Sequence, residues 1–553
     1  MERLRPYYAL LILVYFVILS GRQIGTSELV YFGGDESRHF MNGVFYHDLL
    51  ADGGWRDPLR YVRWYYPKYP ALSVHQYPPL FYLLEALVIT LAGVQPLAVQ
   101  AVILSILGCC LAIWYRMLCR KFSPEVGLLT LLWLLSTSLF LRNFAHIMLD
   151  STALALTLVV LTKLWHWETS GWRRDLALTL GCLMLVLGIA FKAYFLVFYL
   201  LLVFSYYAVR KRPIRTRITV VVMAFCAIFL IFFTFGTIAQ TTRIPLLYQT
   251  LQGVNMISFK RLLRILTGDL RFLFKFEFLR TFGISGIVFV LLGLGWIVKN
   301  ATWRSMRHEL LYAANFLFVF GVCIIHFEPA RFHLFLLPVM ALLAGSACDR
   351  IRQMFRGIAR HVAGGAIVLV LVGQGIVFTP AYVRGYEQAA RDVVDLNTTA
   401  APILCDAYAD GNFIAYVRKF DPEKRQIVFR GDKLLFTFKI YYRDLKSINV
   451  HQEEDVYQML DHYGIRYILV DGRFTEMKPK ALLRRVLQNS VKFTRLKHYS
   501  IETNMPPYAS GGLTLYEYRD VAPDETRELS LNIPVMSTGL SFSIQELRAP
   551  FQP

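Results

Sequence analysis

The sequence has no cysteine framework. Cys109, Cys110, Cys182, Cys226 and Cys323 fall in apolar runs, Cys119 and Cys348 at run ends, and only Cys405 in a polar region. No zinc-ligand spacing occurs, so a disulfide scaffold and a structural zinc site are both set aside, and the thiols read as small buried groups. Internal repeats and low-complexity stretches are also missing, which argues against solenoids and linker arrays. The N-terminal "MERLRPYYALLILVYFVILSG" has a basic start and a long apolar run but no small-x-small cleavage pattern. It reads as a retained signal-anchor helix.

Acidic residues are scarce in the first two-thirds of the chain. Residues 1–380 hold 36 basic and 17 acidic groups, whereas the remainder holds 23 and 22, so nearly all of the formal charge of +20 lies in the first part. That part also carries the apolar runs of a chain that is 56% hydrophobic. Stretches of 15 to 22 residues almost without charge are transmembrane candidates, and the positive excess beside them reads as topology and headgroup contact rather than nucleic-acid binding.

Apolar runs occur near 7–24, 79–94, 97–115, 125–141, 147–165, 176–190, 193–209, 218–239, 282–298, 310–326, 333–348 and 362–379. Basic clusters sit at Arg3/Arg5, Arg116/Arg120/Lys121, Arg173/Arg174, residues 210–217, Lys299/Arg304/Arg307 and Arg350 to Arg360. If every cluster faces the cytoplasm, an even number of spans must separate neighbours. Three runs precede Arg116, so one of them should not cross. The run 79–94 opens with Pro79 and carries Glu85, which marks it as an interfacial or re-entrant helix. The expectation is eleven spans, a cytoplasmic N-terminus and one large external loop over 25–96, in a transmembrane domain over 1–380. The tail, 381–553, alternates strand-like segments ("APILCDA", "RQIVFRG", "RYILVDG", "VKFTRLKHYS") with helix starts such as "QEEDVYQMLDHYG", and reads as an external α/β domain.

That topology puts the acidic pair Asp35-Glu36 outside, beyond the reach of cytoplasmic sugar nucleotides. Activated sugars on that side travel on polyprenyl phosphates. A transferase using them needs a carboxylate to take the acceptor proton, cations for the leaving phosphate and a groove for the prenyl chain. Asp35 and Glu36 can supply the first. Lys192 and Arg331, at helix ends on the same face, can supply the second, and "WYYPKYP" (64–70) with the interfacial helix can line the third. The external basic loop 240–281 offers further charge for a lipid phosphate or for headgroups.

The acidic pair, "HQYPPLFYLLEAL" (75–87), "RNFAHIMLDSTALAL" (142–156), "IAFKAYF" (189–195) and "FEPARFHLFLLP" (327–338), in this order, resemble the polyprenyl-phosphate-dependent GT-C glycosyltransferases. The similarity is to the protein O-mannosyltransferase-like group that includes the lipid A aminoarabinose transferases, and it covers about residues 1–380. It implies a polytopic α-helical membrane protein of GT-C type and an inverting glycosyltransferase. Asp35 would be the general base with Glu36 beside it, Asp150 a second external acid, and Lys192 and Arg331 the phosphate ligands. Arg142, His75, Tyr77 and Glu328 complete the candidate substrate-binding set. Some members carry an acidic residue and a lysine just before the Pro pair; here they are Gln76 and Tyr77, so neither a metal site nor a phosphate contact built there carries over. A divalent metal ion therefore stays open, with His75, His146 or His333 as substitute ligands.

The expected partners are a polyprenyl-phosphate sugar donor, a glycan, lipid or protein acceptor, and membrane lipids, without nucleic acid. The expected location is a bacterial inner or plasma membrane. A transporter or flippase of polyprenyl-linked sugars is the alternative reading. It calls for paired repeats and charges deep in the spans, neither of which is evident.

Overall fold

The computed structural model describes residues 5–29, 31–74, 77–170, 173–190, 195–209, 277–299, 306–318, 330–439, 444–472, 477–509, 511–519, 526–533 and 538–552, with single positions between 213 and 223. The chain forms two compact units. One joins residues 1–23, 75–80 and 101–380; the other joins 24–74, 81–100 and 381–553. The compact units are thus not separated by a single cut near residue 380: most of the first loop belongs with the tail.

The first unit is helical. Arg5–Gln23, Pro124–Ser136, Ser138–Leu141, Leu149–Ser170, Arg173–Ile189, Phe195–Val209, Glu277–Lys299, Arg307–Phe318, Leu337–Met354 and Gly357–Val377 follow the apolar runs read from the sequence. Within the described residues, four helices are long and apolar enough to cross a bilayer: Pro6–Gln23, Pro96–Lys121, His333–Met354 and Gly357–Val377. Leu80–Ala92, Pro124–Ser136, Phe195–Ser205 and Gly286–Trp296 are shorter apolar helices. The protein is an integral membrane protein. The run 218–239, apart from Thr219 and Met223, and the basic loop 240–276 lie outside the described residues.

Local chemistry sets the helix ends. Ser123 caps Pro124–Ser136 by accepting from the Val126 N–H, with Pro124 at the first helical position. The expected single run 125–141 breaks at Thr137, whose backbone turns extended while its hydroxyl donates back to the Trp133 carbonyl. Hydroxyls then tie helices where no water competes: Ser136 Oγ donates to the Leu371 carbonyl at 2.6 Å and lies 3.0 Å from Tyr15 Oη. Small residues allow close crossings, as at Gly345, where a Cβ would stand 2.6 Å from the Thr130 backbone nitrogen.

The second unit is built on a five-stranded mixed sheet. Its order is Val428–Arg430, Ile403–Asp406, Tyr467–Asp471, Leu513–Tyr518, Phe493–Tyr499, the first three parallel and the last two antiparallel. The central strands Ile403–Asp406 and Tyr467–Asp471 are buried along their whole length, as strands covered on both faces require. Glu453–His462 starts in a capping box between Gln452 and Asp455 and is followed by Gly464 at φ +60°.

First-loop segments pack within this same unit. Glu28 accepts the backbone N–H groups of Gly385, Tyr386 and Glu387, so its carboxylate caps the helix Tyr386–Leu396. The Val428 N–H donates to the Lys68 carbonyl at 3.0 Å, alongside the outermost parallel strand. The helix Tyr31–Ala51 carries Gly43 against Leu80–Ala92; a Cβ there would lie 2.5 Å from Glu85 Cβ, so only glycine permits the approach.

Candidate active site

Asp35 and Glu36 stand in the first turns of the helix Tyr31–Ala51, in the second unit. Glu36 is buried, whereas the Asp35 side chain is 23% exposed and faces the Arg38 guanidinium at 3.6 Å, one turn along the helix. Asp35 is thus the more accessible carboxylate of the pair.

Asp150 and Arg331 lie in the first unit, and the structure brings them together. Asp150 opens the helix Leu149–Ser170, and the following residue, Ser151, donates its hydroxyl to the Asn143 carbonyl at 2.8 Å, which fastens the preceding loop. Arg331 sits in the 3₁₀ segment Ala330–Leu336, its Nε 3.6 Å from Asp150 Oδ2. Both side chains are nearly buried. A guanidinium is a planar group whose geometry suits carboxylate and phosphate oxygens. Arg142 is exposed at the end of Ser138–Leu141, and Tyr77 is half-buried. His75, Lys192 and Glu328 lie outside the described residues. Among the described residues there is no group of three or more His, Cys, Asp or Glu side chains arranged to hold a metal.

One expectation is corrected. The run 64–70 does not line a groove: Tyr65, Lys68 and Tyr69 are fully buried inside the second unit. Their polar atoms explain why. Tyr65 Oη donates to Asp48 at 2.7 Å and Tyr69 Oη to Asp421 at 2.6 Å. A buried tyrosine needs such a partner, and both acceptors lie within the same unit.

Sequence reasoning also passed over the centre of charge in this unit. Asp48 accepts both Arg418 Nε and Nη2, at 2.8 and 2.6 Å, as a bidentate pair. Burial alone would raise this carboxyl, but the Arg418 charge and the His47 hydrogen bond override it and hold it well below the usual carboxylate range. His47, Asp48, Arg418, Lys419 and Lys424 border a cleft of about 400 Å³, closed by Gly93, Val94 and Gln95. Asp48 and Arg418 lie 370 positions apart, so no local spacing could announce the pair.

Lys68 is buried with its ammonium 4.1 Å from the Trp64 ring centre. Burial pushes this amine down to about 7, against the pull of Asp421. Its ordinary value is 10.5, so between about 7 and 10.5 the unfolded chain binds the proton and the folded protein does not. Stability therefore rises with pH across that window and is flat below it, as far as this group decides. Lys68→Met is expected to raise the thermal midpoint most near pH 7, with the gain shrinking toward about pH 10. Thermal scans of both proteins in detergent across that range check the sign.

No protein-family model and no curated protein matches the chain. Solved structures do. ArnT from Cupriavidus metallidurans, bound to undecaprenyl phosphate, aligns over 94% of this chain and 99% of its own, at a TM-score of 0.50 and 12% identity. The Archaeoglobus fulgidus oligosaccharyltransferase, in complex with zinc and sulfate, aligns over 89% of this chain and 72% of its own, with the same score and identity. The alignments span helical and α/β parts alike. The chain therefore shares the fold of these two proteins, in keeping with the GT-C fold that its ordered sequence motifs imply.

Proposed function

We propose that the protein is a membrane glycosyltransferase that moves a hexosyl or pentosyl group from a polyprenyl-phosphate donor to an acceptor outside the cytoplasm, with inversion at the anomeric carbon. Asp35 takes the proton from the acceptor hydroxyl as that oxygen attacks the anomeric carbon. The bond from this carbon to the phosphate oxygen breaks on the opposite face. The lipid phosphate leaves as an anion, its charge met by Arg331 and Lys192. Asp150 holds Arg331 in place, and Glu36 completes the acidic pair beside the base. In this reading the N-terminus is cytoplasmic and the tail external, following the charge bias of the loops.

The observation that carries the reading is a GT-C fold, matched over 94% of the chain, whose first-loop helix bears an acidic pair with one carboxylate accessible. The buried Asp150–Arg331 pair adds a guanidinium suited to phosphate. A panel of undecaprenyl phosphates carrying radiolabelled hexoses or pentoses, offered to proteoliposomes with membrane extract as acceptor source, tests it. Transfer of label is expected from at least one donor and from no nucleotide sugar. Label that crosses the vesicle membrane while still attached to its lipid, with no transfer, would support the flippase instead.

A further inference from the structure

The three parallel strands of the second unit all end in charge. Asp406 closes Ile403–Asp406, Asp471 closes Tyr467–Asp471, and Arg430 closes Val428–Arg430. The carboxyl edge of an α/β sheet is where such folds place their functional groups. Two of these ends are internally engaged: Asp406 binds Lys480 at 2.8 Å and Arg484 at 3.0 Å, and Arg484 also reaches the Asp471 carbonyl at 2.7 Å. Arg430 is engaged differently. It is clamped by Asp410 at 2.7 Å and by both oxygens of Asp432 at 2.9 and 2.7 Å.

This cluster borders the candidate base. Asp410 opens the helix Asp410–Phe420, and the next residue, Gly411, packs so closely on Ser37 that any Cβ would collide with its hydroxyl. Ser37 is fixed in turn, donating to the Gly34 carbonyl at 2.9 Å, and it lies between Asp35 and Arg38 in sequence. The charged and titratable groups that feel Arg38 are Asp35 on its own helix, Asp410, then Asp432 and Lys433 after the outermost parallel strand, and Tyr66 from the first loop, with Arg430 bound to both Asp410 and Asp432. Burial and the neighbouring Asp432 hold the Asp410 carboxyl above its ordinary value although Arg430 pulls it down; Arg430 and Lys433 overcome burial at Asp432 and hold it below.

We infer that the Asp410–Arg430–Asp432 cluster of the tail is a positioning device for Asp35, acting through Arg38. The inference rests on the reading of Asp35 as the base. A guanidinium that faced only Asp35 would close on it, lowering its basicity and blocking the acceptor. Asp410 and Asp432 feel the guanidinium electrostatically without pairing with it, and it stands 3.6 Å from Asp35, close enough to orient the carboxylate and too far to hydrogen-bond it. Arg430 and Lys433 set how strongly they pull. The tail then belongs to the catalytic apparatus, and Asp410, Arg430 and Asp432 are positioning residues.

The signs follow from charge alone. Removing the Asp432 charge leaves Arg38 freer to stabilise ionised Asp35, so the acidic limb of the kcat/KM profile moves to lower pH. Removing the Arg430 charge moves it to higher pH. Each shift is expected on the order of half a pH unit. Asp432→Asn and Arg430→Gln are assayed with the labelled donor that the wild type accepts, and Arg430→Lys is expected to restore the limb. Arg38→Gln, at a side chain one-third exposed, keeps the test open where the buried variants fold poorly. On that background Asp432→Asn is expected to shift nothing further. Opposite shifts that vanish without Arg38 support the inference. An unmoved limb in all variants overturns it while leaving Asp35 as base, and an active Asp35→Asn overturns the underlying reading instead.

Discussion

Asp35→Asn is expected to lower the transfer rate by about 10² to 10⁴ while leaving donor binding nearly unchanged. The amide has the shape of the carboxylate and can still meet Arg38, but it has no basic lone pair to take the acceptor proton. Because the side chain is partly exposed, the substitution empties no core and buries no unpaired group. The loss should therefore fall on kcat rather than on KM or on thermal stability. Arg331→Met makes the complementary case. It strips the guanidinium from the buried Asp150, so it is expected to weaken donor binding and to destabilise the helical unit. Single-turnover rates with saturating labelled donor separate the two. Wild-type transfer by Asp35→Asn would remove the base assignment.

The second large effect is structural. Arg418→Met leaves the fully buried Asp48 without its bidentate cation and is expected to cost about 3 to 5 kcal/mol, a drop in thermal midpoint on the order of 10 °C. The cost is large because Asp48 cannot reach water and retains only the Tyr65 hydroxyl, the His47 ring nitrogen and the more distant Lys424. Adding Asp48→Leu should recover part of the loss, since an uncharged pair has no ion to desolvate. Thermal scans of the single and double variants in detergent give the coupling between the two residues. If the double variant proves no more stable than Arg418→Met, the unpaired carboxylate is not the source of the cost.

How much of this was legible depended on the range of the interaction. Helices were readable because the bilayer imposes length and composition on each segment separately: the run near 362–379 became Gly357–Val377 from its own residues. The tail strands were readable for the same reason, since "APILCDA" and "RYILVDG" are continuous apolar runs of the kind that parallel strands need. The pairing of Leu513–Tyr518 against Tyr467–Asp471 was not, because strand partners are chosen by the whole sheet. At the site, Asp35 and Arg331 drew notice as charges beside apolar runs, and Asp150 through the ordered motifs. The charges behind them stayed hidden: Arg418 and Arg430 look like ordinary surface cations until burial is known, because sequence prices them as exposed. The aromatic run near 64–70 misled in the opposite sense, reading as a lipid groove when its hydroxyls are spent inside a core.

The union of residues 24–74 and 81–100 with 381–553 in one compact body has a consequence for biogenesis. A ribosome delivers the first of these segments hundreds of residues before the last, so the helix bearing Asp35 must wait, without its contacts to the tail, while the membrane helices are inserted. Until the strand Leu513–Tyr518 has been made, the sheet that buries Arg430 is incomplete. Under the proposed function, copies that stop short of this strand are expected to be catalytically silent.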